Sequence, residues 1–241
     1  MELWTRRKFF VGSVVGGALA GAGRLFGKTL GTGETASEGV AEAARAAGGA
    51  RPVMVSSANG VNALPKGMEI LRGGGDTLDA AVAAVTIVED DPNDDSVGYG
   101  GLPNEEGVVE LDASVMHGPT RRAGSVASVQ KIKNVARLAK TVMERTNHVM
   151  IVGDGARRFG VAEGFEEMNL LTEHSRKIWL AWKAKTSFNW RPGIDSPEWK
   201  EHMSRLFDGD AEKIAYAEQR IAHPITGTIN CLAVSAKGEV S

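Results

Sequence analysis

At 241 residues, with 42% apolar and 24% charged side chains, the chain can bury a sizeable core in one domain. Lys+Arg 28 against Asp+Glu 30 leaves a net charge of −2 without a basic stripe, which excludes the electrostatic footprint of a nucleic-acid binder. The five histidines (His117, His148, His174, His202, His223) lie far apart, no HExxH occurs, and Cys231 is the single cysteine, so neither a metal site nor an internal disulfide is expected.

In chain order, "TRRKFFVGSVVGGALA" places Arg6 and Arg7 ahead of a short Gly/Ala-rich stretch ending in Ala18-Leu19-Ala20. This resembles a twin-arginine export signal with an A-x-A cleavage site. The uncharged run over 9–23 is too short and glycine-rich to span a bilayer, which takes about 20 apolar residues. Residues 1–26 are therefore expected to be a signal region read by the twin-arginine translocation machinery, and the protein to be periplasmic or secreted. Glu2, Arg6, Arg7 and Lys8 sum to +2, so the chain from residue 21 onward carries −4. Residues 27–50, dominated by Gly, Ala, Thr, Ser and Glu, read as a linker, partly helical around "EGVAEAARAAG".

The folded part is expected from Arg51. "PVMVSS" has the length and β-branched content of a buried strand. "ALPKGMEILRGGG" reads as a helix, with Pro65 near its start and Gly73 at its C-cap. "DTLDAAVAAVTIVEDDP" is the clearest helix, with Asp76 or Thr77 as N-cap, an apolar stripe through Leu78, Val82, Val85 and Val88, and Pro92 beyond its end. "GVVELDASVM" and "AGSVASVQ" predict two strands joined by a turn at "HGPTRR"; "NVARLAKTVMERT" predicts a helix leading into the strand "HVMIVG". After the tryptophan-bearing helix "NLLTEHSRKIWLAWKAK", residues 186–223 turn polar and poor in β-branched residues, so a loosely attached surface segment is expected. The sequence turns strand-like again at Thr228.

Local motifs give little chemistry. "RGGGDT" precedes a helix whose N–H groups could attract an anion, but GxGxxG and GxxxxGK[ST] are both missing, so a helix C-cap and a tight turn are expected, and no cofactor. "EDDPNDD" lacks the glycine and closing glutamate of an EF-hand loop and reads as a solvated helix end. Trp179 and Trp182 read as packing residues. Gly227-Thr228 admits two readings. It is an ordinary turn followed by a β-former. It is also a place where backbone cleavage would put an α-amine beside a hydroxyl nucleophile, the glycine tolerating strain at the scissile carbonyl. The amine, with an unperturbed pKa near 8, could then take the hydroxyl proton without a histidine.

"VEDDP", "SVGYGG", "LDASVM", "HVMIVGDGA", "GFEEMNLLT", "KIWLAW" and "GTINCLAV", in this order, resemble the glycosylasparaginases and their asparaginase/isoaspartyl-peptidase relatives from Arg51 to Ser241. The resemblance implies an N-terminal-nucleophile hydrolase of α+β class. Its fold would be a four-layer αββα sandwich, here incomplete, formed by a precursor that cuts itself into an α/β heterodimer capable of dimerising. It makes 51–227 the α-subunit part, 186–223 its mobile tail, Gly227-Thr228 the autocleavage site and Thr228 the catalytic nucleophile. Residues 228–241 become the start of a β subunit whose substrate-binding and oxyanion groups are expected beyond Ser241.

Two departures bear on the substrate. Thr226-Gly227 stands where glycosylasparaginases carry His-Asp, as in the isoaspartyl-peptidase branch, and Ala58 in "SSANG" stands where many carry a substrate-side tryptophan. The expected substrate is the side-chain amide of N4-(β-N-acetylglucosaminyl)-L-asparagine, the alternative a β-aspartyl peptide or L-asparagine. A non-catalytic exported domain is the third reading, should the chain end at Ser241. The turn "SAKGEV" folds the last strand back onto Val240 and Ser241 alone, so the chain as given is expected to stay uncleaved and inactive.

Replacing Arg6 and Arg7 by lysine should hold the protein in the cytoplasm, because the pair is an address and not bulk charge. Fractionation of producing cells checks this, and unchanged export of the Lys-Lys variant would refute it.

Overall fold

Alternation of side chains sets the first structural unit. Strand β1 (Val53–Ser56) pairs antiparallel with the last strand, β5 (Cys231–Val234), in the register Val53↔Val234, Met54↔Ala233, Val55↔Leu232 and Ser56↔Cys231. Met54 and Ala233 point inward and are buried, while Val53, Val55 and Leu232 point outward and stay exposed, the period of two expected of a half-covered sheet. The computed structural model describes residues 51–186, 196–223 and 227–241; residues 1–50, where the export signal and linker were expected, residues 187–195 and residues 224–226, Thr226 among them, lie outside the described residues.

Two helices cover the inner face. Helix α1 (Leu64–Arg72) carries Pro65 in its first turn, where the missing N–H costs nothing, and Gly73 follows as its C-cap. Helix α2 (Thr77–Glu89) is capped by Asp76, whose carboxylate accepts from Leu78 N at 2.8 Å and Asp79 N at 3.1 Å. Leu71, Ala80, Ala81, Ala84 and Val88 pack with Met54 and Ala233 into one core.

The second sheet has the order β2-β3-β4, from β2 (Leu111–His117), β3 (Arg122–Val129) and β4 (Met150–Val152). β2 and β3 form an antiparallel hairpin; β3 and β4 are parallel and joined through helix α3 (Val135–Arg145), because parallel neighbours need a crossover. Leu138, Ala139 and Val142 of α3 pack on Leu111, Val126 and Val129. The expected strand over 107–116 starts only at Leu111, since residues 102–110 form a loop. Helix α4 (Gly153–Ala162), which follows β4 directly, was not predicted.

Both sheets thus carry helices on one face, the helix-on-sheet layers of an α+β sandwich, and expose apolar side chains on the other: Val53, Val55 and Leu232 in one, Met116, Met150 and Val152 in the other. On the return side of β5, Ala233 and Ser241 exchange two backbone hydrogen bonds of 2.9 and 3.0 Å, the short partner that the turn predicted.

The expectation of a loosely attached segment over 186–223 fails for residues 196–223. They form helices α6 (Pro197–Leu206) and α7 (Ala211–Ala222), which pack with helix α5 (Glu173–Thr186) around their own core of Ile178, Trp199, Met203, Phe207, Ala217 and Ile221. Ser196 and Asp210 cap the two helices. A polar composition misled because helices this size need only three or four apolar residues on one stripe.

Trp199 is 1% exposed at the centre of that core. Trp199→Ala should cost about 3–5 kcal/mol in urea unfolding, and a change near zero would restore the loose-segment reading.

Candidate functional site

The β1–β5 ladder brings the residues after β1 against those before β5. Ser57 N donates to Asn230 O at 3.0 Å, and Asn230 N donates to Ser57 Oγ at 3.0 Å. Ser57 Oγ in turn donates to Asn59 Oδ1 at 2.7 Å, which fixes the amide so that its Nδ2 donates to Thr228 O (3.3 Å) and Ser96 Oγ (3.2 Å). Thr228 is exposed at the mouth of a cleft of about 360 Å³ lined by Ser57, Asn59, Asp94, Ser96, Tyr216 and Arg220.

Ser96 sits on the loop that follows α2. Asp94 grips it twice, its Oδ1 accepting from Ser96 N at 2.8 Å and from Ser96 Oγ. The loop is set at its root by Glu89, whose carbonyl accepts from Tyr99 N at 2.7 Å; Gly98, with φ +60°, passes so close that a Cβ there would overlap Glu89 backbone. On its other side, Gly100 N donates to Leu170 O at 3.0 Å and the buried Ser175 Oγ donates to Gly100 O. Gly227 is pressed onto this platform, and a Cβ there would overlap the Ser96 carbonyl oxygen.

Asp95 completes the cleft wall. Its carboxylate is 2% exposed and accepts from Arg220 Nε (3.0 Å), Arg220 Nη2 (3.1 Å) and Tyr216 OH (2.8 Å), so its charge is buried but paired in a two-pronged fork. Arg220 Nη2 also donates to Tyr216 OH at 2.6 Å. Burial, reinforced by the Asp95 carboxylate, raises the Tyr216 phenol above its usual range. Tyr216 and Arg220 stand one turn apart on α7, within the segment expected to be a mobile tail.

Both predicted site residues, Gly227 and Thr228, therefore lie at one cleft. Asn59, Ser96, Asp94, Asp95, Tyr216 and Arg220 were not predicted as site residues, although "SSANG" and "SVGYGG" marked the stretches holding Asn59 and Ser96. Ala58 is exposed at the cleft lip, so the position noted for its missing tryptophan does face the site. Among the described residues no His, Cys, Asp and Glu group is arranged to hold a metal ion. One Thr–His–Asp chain exists elsewhere, with His117 Nδ1 2.8 Å from Thr120 Oγ1 and Nε2 2.8 Å from Asp76 Oδ2. It ties the β2–β3 turn to the α2 cap and shares no residue with the cleft.

A threonine just ahead of a strand and behind a close-packed glycine, beside a sheet covered by helices, suits an N-terminal-nucleophile hydrolase. The profile described as Asparaginase matches residues 35–241, and the chain belongs to that family of amide-bond hydrolases. It is 46% identical over 138 residues to an N(4)-(beta-N-acetylglucosaminyl)-L-asparaginase of Elizabethkingia miricola, covering 57% of this chain and 40% of that one. It is 45% identical over 114 residues to an isoaspartyl peptidase/L-asparaginase of Bos taurus (46% of this chain, 37% of that one). The mouse protein of the same name is 40% identical over 118 residues, covering 48% and 36%. The matched region thus spans well under half the length of each of these relatives.

Glu89 also links the platform to pH. Its side chain is buried, Oε1 accepting from Ala136 N at 2.9 Å at the start of α3 while Oε2 has no partner among the described residues. Burial raises its pKa from 4.5 to about 7, against the opposing bond from Ala136 and with help from the charge of Asp90. Folding therefore favours the protonated acid: the contribution is whole below pH 4.5 and is lost as pH rises to about 7. The loss should approach about 3 kcal/mol. Urea unfolding across this range should show wild-type stability falling relative to Glu89→Gln, and parallel pH profiles would refute the assignment.

Proposed function

We propose that the chain carries the nucleophile of an exported amide hydrolase that activates itself by cutting Gly227-Thr228. The observation that carries this reading is the packing of Gly227 onto Ser96 with Thr228 O held by Asn59, which fixes both sides of one peptide bond in an exposed cleft. Thr228 Oγ1 would attack the Gly227 carbonyl carbon, the C–N bond would break, and water would hydrolyse the resulting ester. The products are a Gly227 carboxylate and a free Thr228 α-amine. Export is supported by Arg6-Arg7 and Ala18-Leu19-Ala20, which precede the family match at residue 35.

In turnover the freed amine, with a pKa near 8, would take the Thr228 hydroxyl proton as Oγ1 attacks the substrate's side-chain amide. Collapse of the tetrahedral intermediate would return that proton to the departing amine and leave a β-aspartyl ester on Thr228, which water would release as aspartate. Glycosylated asparagine is the substrate we favour, on the likeness to the Elizabethkingia miricola enzyme that is named for it. Ala58 at the cleft lip supports a second reading, an isoaspartyl peptidase or L-asparaginase, because it offers no aromatic face to a sugar.

Intact-mass spectrometry of the gene's full reading frame tests the first step. Wild type should cleave between Gly227 and Thr228, Thr228→Ala should not, and Gly227→Ala should cleave at least about tenfold more slowly because its methyl group collides with Ser96. Cleavage that survives Thr228→Ala would overturn the proposal. On the cleaved protein, kcat/KM for N4-(β-N-acetylglucosaminyl)-L-asparagine against a β-aspartyl dipeptide decides between the two substrates.

A further inference from the structure

The connector between α7 and the proposed cleavage site is anchored at both ends on one dipeptide. Six residues, 221–226, separate Arg220 from Gly227. Arg220 is fastened to Asp95, and Gly227 packs on the backbone of Ser96, the next residue. Asp94, the residue before, holds Ser96 by its N–H and its hydroxyl, and Leu102 N donates to Asp95 O at 3.0 Å. Asp94 and Asp95 thus act as a strut with two arms, one reaching Ser96 and the other reaching α7.

We infer that Asp95, Arg220 and Tyr216 form a latch that fastens the end of α7 beside Ser96 and thereby positions Gly227-Thr228 for self-cleavage. The inference rests on the self-cleavage reading above. The Asp95 carboxylate is buried, and a buried carboxylate without a cation is costly enough to hold Arg220 in place. The fork of two guanidinium bonds fixes direction as well as distance, and the Tyr216 hydroxyl, bonded to both partners, prevents the arginine from swinging away. Arg220 and Gly227 are separated by only six residues in sequence, so fastening Arg220 beside Ser96 limits how far Gly227 can move from it. Without the latch, α7 would be held by apolar contact with α5 and α6 and by the hydrogen bond from Trp199 Nε1 to Glu218 Oε1 at 2.9 Å, which tolerate sliding that a bidentate ion pair does not. These three are positioning residues: none of them touches the scissile bond.

The test follows self-cleavage of the full reading frame by intact mass, with a thermal melt of each variant. Arg220→Ala should slow cleavage at least about tenfold. Free guanidinium at about 20 mM should restore much of the rate by refilling the site beside Asp95, whereas sodium chloride at equal ionic strength should not. Met203→Ala loosens the α5–α7 core, against which the Tyr216 ring also packs, but removes none of the hydrogen bonds of the latch; it should lower the melting temperature and leave the cleavage rate within about twofold of wild type. Asp95→Asn, which keeps the shape and removes the ion pair, serves in place of Arg220→Ala if that variant does not fold. A wild-type rate in Arg220→Ala or Asp95→Asn, or equal slowing by Met203→Ala, overturns the latch while self-cleavage stands. A wild type that never cleaves overturns both.

Discussion

The pairing of β1 with β5 is the constraint on which the site depends. It is a contact between the beginning and the end of the described chain, and its register decides which residues face each other beyond the ladder. With Ser56 opposite Cys231, Ser57 falls beside Asn230, and the turn after β1 brings Asn59 to Thr228 O. A slip of one residue would turn Met54 and Ala233 outward, expose the core and carry the Ser57–Asn230 pair out of register. The burial of Met54 and Ala233 therefore sets the geometry at Thr228 as firmly as any polar contact there.

The second support is the loop after α2, which is irregular in secondary structure yet tied on several sides. Glu89 holds Tyr99, Leu170 and Ser175 hold Gly100, and Trp179 donates its indole N–H to Glu105 O at 3.2 Å. A surface loop with its backbone groups satisfied from α2, from α5 and from the stretch before α5 behaves as a rigid platform, which is what a site needs if one peptide bond is to be held in a reactive posture. Asp94 and Asp95 transmit that rigidity outward in opposite directions.

Local signals were legible wherever the cause was local. Asp76 caps α2, Pro65 opens α1, and the hairpin turn falls at "HGPTRR", because capping and turn chemistry act within a few residues. The helices at 197–206 and 211–222 were missed although Trp199 and Met203, and Ala217 and Ile221, repeat at a spacing of four. Their polar faces dominated the composition and hid a narrow stripe. The cleft wall was legible only through the resemblance of "SVGYGG" and "GTINCLAV". Asp95 and Arg220 are 125 residues apart, and no periodicity reports a contact over that distance. The Thr228 end was read as strand too early, since the ladder starts at Cys231 and residues 228–230 are held instead by Ser57 and the Asn59 side chain.

The chemistry of the cleft also explains why a free amine would matter there. Among the described residues none of the histidines lines it: His117 is committed to Asp76 and Thr120, and His174 packs against the ring of Tyr216 at 5.5 Å. The two carboxylates that do line it are committed as acceptors, Asp94 to Ser96 and Asp95 to Arg220. Both carboxylates already accept two or more hydrogen bonds from these partners and are poorly placed to take a hydroxyl proton as well. The Tyr216 phenol is shifted the wrong way, upward, and holds its proton on Asp95. A hydroxyl at residue 228 thus has no ready proton acceptor among these groups while its own nitrogen is tied up in a peptide bond. Cutting that bond would supply one on the same residue, at a separation fixed by covalent geometry.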